Sequence, residues 1–277
     1  MRASRQHLVL TSLLAAALAV AAPGRPALAQ DRGAYRIDTT VAVGRDASVD
    51  LGLINGDVVV TASSRGDVRV HAFSDVIPLR LEVIGNTVRV VTENGRYRRG
   101  GDQRIEVVVP TGTRVSASSI SGNVSVRGAH AEVEASSTSG DVTVDRVNGL
   151  VDAETVSGEV EVRSARSDRV RAQSLSGEVT YDGTITRDGR YDFTSHSGTV
   201  RLFVPADAAI SLTASTFSGS VNSRLPATLG PTTRSGGVRR GGRMELAING
   251  GGARVNATSF SGDIVIERAD TRSAGRP

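Results

Sequence analysis

Apolar and polar residues alternate along most of this chain, and the alternation returns at a nearly fixed period. Ser-Gly occurs at Ser121, Ser139, Ser157, Ser176, Ser197, Ser218 and Ser261, with successive separations of 18, 18, 19, 21, 21 and 43 residues, the last being about two periods. Six, four and two positions before each serine the same kinds of residue recur. Val115, Ala117 and Ser119 are repeated as Val133, Ala135 and Ser137, then as Val151, Ala153 and Thr155, and finally as Val255, Ala257 and Ser259. Period two is the signature of a strand with one buried face. A second alternating pair follows each glycine, as in Val124 and Val126, Val160 and Val162, and Ile264 and Ile266. Each repeat therefore predicts two short strands.

The buried positions fall at even offsets before the Ser-Gly and at odd offsets after it, so the chain must bend there to keep both strands facing one interior. Gly122, Gly140, Gly158, Gly177, Gly198, Gly219 and Gly262 occupy that corner. Glycine suits it by tolerating positive φ and close backbone approach. Ile120, Val156, Leu175, Phe217 and Phe260, each directly before the serine, are expected to plug the corner. A coil of 18 to 21 residues cannot bury its apolar face alone. Coils stacked at about 4.8 Å build a continuous core between two sheets about 10 Å apart.

The predicted fold is all-β: a single-domain β-solenoid, a β-helix-like stack of two-stranded coils, with no helix in the mature chain. Residues 111–268 hold the repeated coils. Residues 30–110 read as an irregular β region containing the first coil, with Val49, Leu51 and Leu53 before Asn55-Gly56-Asp57, a hairpin turning at Gly85-Asn86, and a strand from Ile105 to Val109. Residues 234–243 read as an insertion or degenerate coil, and 269–277 as a frayed, disordered tail. Length varies in the connections Asp182 to Arg190 and Pro205 to Ala209, which should line one edge and are the expected place for function. The atypical first coil and the tail are expected to cap the two open ends.

Residues 1–29 read as a signal peptide: Arg2 and Arg5 precede the apolar run Leu8 to Ala22, and Ala27-Leu28-Ala29 offers small residues for cleavage before Gln30. That run is too short for a comfortable membrane span, and no transmembrane segment is predicted in the mature chain. The expected location is outside the cytoplasm: periplasmic, cell-surface or secreted. The chain has no cysteine, so stability must come from packing and hydrogen bonds rather than disulfides. Losing Arg2, Arg5 and Arg25 with the signal lowers the formal charge from +4 to +1, so the mature surface is only weakly basic.

No cofactor motif, metal cluster or catalytic constellation is legible. His71, His130 and His196 fall at unrelated offsets in the repeat. Asp57, Asp141, Glu159, Glu178 and Asp263 follow corner glycines and would stack in a row, which suits turn residues better than calcium ligands, because other coils place Asn123, Thr199 and Ser220 there. Arg65-Gly66-Asp67 spells an integrin-type tripeptide but sits where a turn is expected. Two basic, glycine-containing stretches are candidate polyanion contacts: Arg96, Arg98 and Arg99, and Arg239 and Arg240. For an exported chain the matching polyanions are envelope or extracellular glycans rather than nucleic acid.

The segment V-P-T-G-T-R-V-x-A-x-S-x-S-G-N-V-x-V at Val109 to Val126, and the closing G-G-A-R-V-N-A-T-S-F-S-G-D-I-V-I at Gly251 to Ile266, resemble the bacterial putative-adhesin domain family, a domain of unknown function. The resemblance spans nearly the whole mature chain and implies a β-solenoid in the envelope or outside the cell. It brings no catalytic residues. The expectation is a non-enzymatic adhesin or interaction scaffold whose partner is a glycan or another envelope protein. Two other readings are a glycan-active solenoid enzyme using Asp182, Asp188 and Asp192, and an envelope-stress sensor or scaffold.

Overall fold

Each alternating stretch of the repeats is a strand, and its alternating apolar members, such as Val115 and Ala117, point inward. The computed structural model describes residues 34–93, 101–225, 228–229 and 242–269, all of them strand, turn or loop. The N-terminal part contributes β1 (Tyr35–Ala42), β2 (Ser48–Asn55), β3 (Asp57–Ser63), β4 (Asp67–Ser74), β5 (Leu79–Ile84), β6 (Thr87–Thr92) and β7 (Gln103–Pro110). The repeats supply β8 (Arg114–Ser121) with β9 (Val124–Arg127), β10 (Val133–Ser139) with β11 (Val142–Asp145), and β12 (Val151–Ser157) with β13 (Val160–Ala165). They continue as β14 (Arg169–Ser176) with β15 (Val179–Gly183) and β16 (Arg190–Ser195) with β17 (Val200–Val204). The C-terminal part holds β18 (Ile210–Thr216), β19 (Val221–Ser223), β20 (Thr228–Leu229), β21 (Gly242–Ile248), β22 (Ala253–Ser259) and β23 (Ile264–Arg268).

The strand before each corner belongs to a 12-stranded sheet and the strand after it to an 11-stranded sheet. Successive coils pair parallel and in register: Val133 lies between Val115 and Val151, and Val142 between Val124 and Val160. Like residues thus stack on like. Valine and alanine columns fill the gap between the sheets, a narrow core that suits β-branched side chains.

The coils do not stack in chain order, as the repeat alone suggests. β2 pairs with β6 on one side and β8 on the other, so the β6–β7 coil lies outside the β2–β3 coil that precedes it. The C-terminal end repeats this arrangement. β22 pairs with both β16 and β18, and β23 with both β17 and β19. The chain skips one rung in passing from β17 to β18, and its last coil fills the slot. Antiparallel strands close both sheets at one end, β5 on β6 and β4 on β7, and the 12-stranded sheet at the other, β21 on β18, where the 11-stranded sheet ends on the parallel strand β19. Antiparallel caps break the parallel register that another coil would need. The tail assigned to this role, from residue 270 onward, lies outside the described residues, as do residues 234–241 of the expected insertion.

Where the repeat lengthens, larger side chains enter the core. Tyr181 stands where the coil before it has Val162, and Tyr191 and Phe193 where the coil before theirs has Val170 and Ala172; the rings pack together, with centroids 5.8 and 5.1 Å from Tyr181 to Tyr191 and to Phe193. Burial raises the pKa of the Tyr181 hydroxyl, which donates to Thr184 O at 2.8 Å. The Tyr191 hydroxyl donates to Ser167 O at 2.7 Å and accepts from Thr186 N at 2.9 Å. The longer connection is thereby tied to the core by the hydroxyls of Tyr181 and Tyr191.

Candidate functional site: residue ladders on the solenoid surface

The corner is a hydrogen-bond ladder. The buried hydroxyl two positions before each serine reaches the glycine carbonyl of the neighbouring coil: Ser119 to Gly56, Ser137 to Gly122, Thr155 to Gly140, Ser174 to Gly158, Ser195 to Gly177, Ser259 to Gly198 and Thr216 to Gly262, at 2.8 to 3.0 Å. The glycines are required by the same approach. A Cβ at Gly122, Gly140, Gly158, Gly177, Gly198, Gly219 or Gly262 would lie 1.9 to 2.2 Å from the neighbouring corner's glycine oxygen. Of these seven only Gly122 has a positive φ, 155°. Close backbone approach, rather than conformational freedom, selects glycine here. In sequence the hydroxyl residues registered only as small members of the alternation, although their fixed S/T-x-S-G spacing carried the signal.

The aspartates of the acidic row, with Asn123, close on the backbone, whereas Glu178 accepts from the side chains of Thr180 and Arg201. Asp57 Oδ1 accepts from Asn123 N, Asn123 Oδ1 from Asp141 N, Asp141 Oδ1 from Glu159 N, and Asp263 Oδ1 from Ser220 N, at 2.8 to 3.0 Å. The bond from Ser220 N, followed by that from its hydroxyl, holds the Asp263 carboxyl below the usual range. Because an asparagine does the same work as an aspartate, the row is a turn device. No group of three potential metal-ligating side chains occurs among the described residues. In the integrin-type tripeptide, Arg65 and Asp67 form a two-pronged pair, Nε to Oδ1 at 2.9 Å and Nη2 to Oδ2 at 3.1 Å. That hydrogen bonding lowers the Asp67 pKa and raises that of Arg65, so the two charges satisfy each other within the β3–β4 turn.

The structure separates Asp182 and Asp192 of the enzymatic reading, while Asp188 is exposed in the connection between β15 and β16. Asp182 follows inward Tyr181 on β15 and faces out from the 11-stranded sheet. Asp192 lies between inward Tyr191 and Phe193 on β16 and faces out from the other sheet, where it accepts from Asn256 Nδ2 at 2.7 Å. Side chains on opposite faces of the solenoid cannot flank one glycosidic bond. The histidines are likewise dispersed: His71 on β4, His130 in a connection and His196 at a corner.

The apolar residues before the corner serines do not plug it. Ile120, Val156, Leu175, Phe217 and Phe260 are 40 to 72% exposed. They follow the buried hydroxyl residue, so the parity of the strand turns them outward, a consequence of the alternation that the corner-plug expectation overlooked. Strand register aligns them with Ile54, Thr138 and His196 into one row running across eight coils. His196 stacks on Phe260 and Phe260 on Phe217, with centroids 4.7 and 4.9 Å apart and nearly parallel rings. Beside Thr138 the row borders an open depression of about 290 Å³ lined by Leu53, Ser118, Ile120, Ser136 and Val156 among others.

Arg96, Arg98 and Arg99, and Arg239 and Arg240, lie outside the described residues. The structure instead brings together an arginine row that the sequence does not reveal, because it is assembled from three coils. Arg169 is opposite Arg190, and Arg190 is opposite Arg254, on adjacent rungs of the 12-stranded sheet with all three exposed. Like charges directly across a sheet repel. The row is a cationic strip about 10 Å long at the usual strand spacing.

No helix among the described residues is long and apolar enough to cross a membrane. No curated protein matches the chain in sequence. Among solved structures, a putative cell adhesion protein from Clostridium sporogenes is 10% identical, with a TM-score of 0.39 over 84% of this chain and 99% of that one. A putative adhesin from Bacteroides fragilis is 12% identical, with a TM-score of 0.40 over 84% and 97%. A putative lipid binding protein from Parabacteroides distasonis is 13% identical, with a TM-score of 0.40 over 83% and 96%. The model of the Toastrack DUF4097 family, a domain of unknown function, matches residues 48–267, and with most of its length covered the chain belongs to that family.

Proposed function

We propose that the protein is an exported, non-enzymatic interaction scaffold of the cell envelope or extracellular space, of the adhesin kind, and that its ligands are acidic surface polymers. The observation that carries the reading is the arginine row Arg169, Arg190 and Arg254, which the fold holds in register despite the repulsion between neighbours. Anionic groups repeating along a polymer relieve that repulsion through charge-assisted hydrogen bonds, for which guanidinium is well shaped. The basic stretches Arg96, Arg98, Arg99 and Arg239, Arg240 add to the same capacity. The secretory character of residues 1–29 places such polymers within reach.

Binding of the purified protein to lipopolysaccharide and to acidic and neutral glycans, measured across salt concentrations, tests this. Saturable binding to the acidic members is expected, weakened by salt and by joint replacement of Arg169, Arg190 and Arg254 with serine. Binding that ignores both salt and these replacements removes the polyanion reading. No binding by folded protein would favour a scaffold acting on an envelope protein instead.

A further inference from the structure

We infer that the exposed apolar row is a docking surface for a second copy of this chain, packed face to face about a two-fold axis lying parallel to the strands between Val156 and Leu175. The proposal is independent of the polyanion reading, which rests on another row.

The row is self-complementary under that operation. Reversing the order of the eight rungs places Ile54 against Phe217, Ile120 against Phe260, Thr138 against His196 and Val156 against Leu175 of the second copy. The only two polar members of the row, Thr138 and His196, stand third from opposite ends, so they meet and can hydrogen-bond. Shape follows the same symmetry. One half of the row carries the open depression of about 290 Å³ beside Thr138, rimmed by Ile120 and Val156, with Ile54 half-buried. The other half protrudes as the stack of His196, Phe260 and Phe217, the last 72% exposed. The two-fold sets each aromatic stack over the other copy's depression.

The neighbouring polar rows agree with the apolar one. One row inward from the edge, Glu154 meets Gln173, and Ser118 and Ser136 meet Thr258 and Thr194, all small or hydrogen-bonding pairs. In the next row Asp152 meets Arg171, opposite charges at the centre of the face. That row also holds the one like-charged pair of the three, Glu134 against Asp192, and Asp192 already accepts from Asn256. Eight rungs at about 4.8 Å give a strip about 35 Å long. With a width of 13 to 20 Å it buries roughly 450 to 700 Å² per copy, within the smaller class of specific interfaces. An isologous contact of this kind closes on itself and leaves no surface for filament growth.

The chain has no cysteine, so single cysteines report the register cleanly. Ile120→Cys and Phe260→Cys proteins, distinguishable by size tags, are treated with a short bis-maleimide separately and mixed. A cross-linked dimer is expected only in the mixture, because the two-fold brings Ile120 opposite Phe260 at about the 10 Å spacing of packed sheets, a span such a reagent bridges, while two Ile120 positions stand five rungs, about 24 Å, apart. Cross-linking of Ile120→Cys with itself, or none in the mixture, overturns the proposal. In parallel, sedimentation of the cysteine-free protein should show a monomer–dimer equilibrium, weakened roughly tenfold or more by Val156→Asp, which places a carboxylate in the apolar strip. Val156 is exposed in the monomer, so the melting temperature of the dilute variant should be unchanged. A strictly monomeric protein that floats instead with phosphatidylcholine vesicles would give the row to a lipid surface and sink the dimer.

Discussion

The Ser137 hydroxyl donates to the carbonyl of Gly122, 2.8 Å away in the neighbouring coil, and the same carbonyl lies 2.2 Å from where a Cβ of Gly140 would stand. One oxygen thus accounts for both conserved features of the corner within this chain, the hydroxyl and the glycine. Ser137→Ala should cost about 1 kcal/mol by leaving that buried carbonyl short of a partner. Chemical denaturation should show a shifted midpoint with an unchanged slope.

Gly158→Ala would bring a methyl to within 2.1 Å of the Gly140 oxygen, backbone against backbone, so the coils must separate. A loss of at least about 2 kcal/mol is expected. Gly112→Ala, with nothing within 4 Å of the added carbon, is the matched control and should stay within about 0.5 kcal/mol of the parent. Thermal melts of the two variants side by side decide the point.

Tyr191→Phe retains the ring but removes the hydroxyl that bridges Thr186 N and Ser167 O. A loss of about 1 to 3 kcal/mol follows from the unpaired groups. Faster amide exchange confined to residues 184–190 would show that the hydroxyl ties down the long connection.

Truncation after Ile248 removes β22 and β23, which lie between β16–β17 and β18–β19 rather than at the end of the stack. An end coil would peel away and leave the rest folded. Here the loss opens a slot, and the β18–β21 end should detach. Limited proteolysis is expected to digest residues 205–248 while the coils up to Val204 resist; protection of the whole remainder would show that the end docks without the inserted coil.

Asp263, held below the usual carboxylate range chiefly by Ser220 N, joins the inserted coil to β19. Since its pKa is lower folded than unfolded, its contribution is complete above the ordinary aspartate value near 4 and is lost as pH falls through the depressed one. Asp263→Asn keeps the acceptor, as Asn123 does in the equivalent place, but cannot titrate. The variant should therefore lose less stability than the parent between about pH 4 and pH 2.

The alternation of Val115, Ala117 and Ser119, returning every 18 to 21 residues, determined by itself that the chain is all-β, that each repeat bends once, and that like residues stack on like. Those are local consequences of side-chain parity and of a coil too small to bury its own face. The order of the coils was beyond the sequence. A repeat that fits any rung cannot say which rung it takes, and only the tertiary structure put Val255 between Tyr191 and Leu212. The surface rows were hidden for the same reason. Arg169, Arg190 and Arg254 become neighbours, and Phe217 reaches Phe260 rather than His196, only when coils distant in the chain share a sheet, because a parallel stack fixes contacts by register across coils and not by separation along the chain.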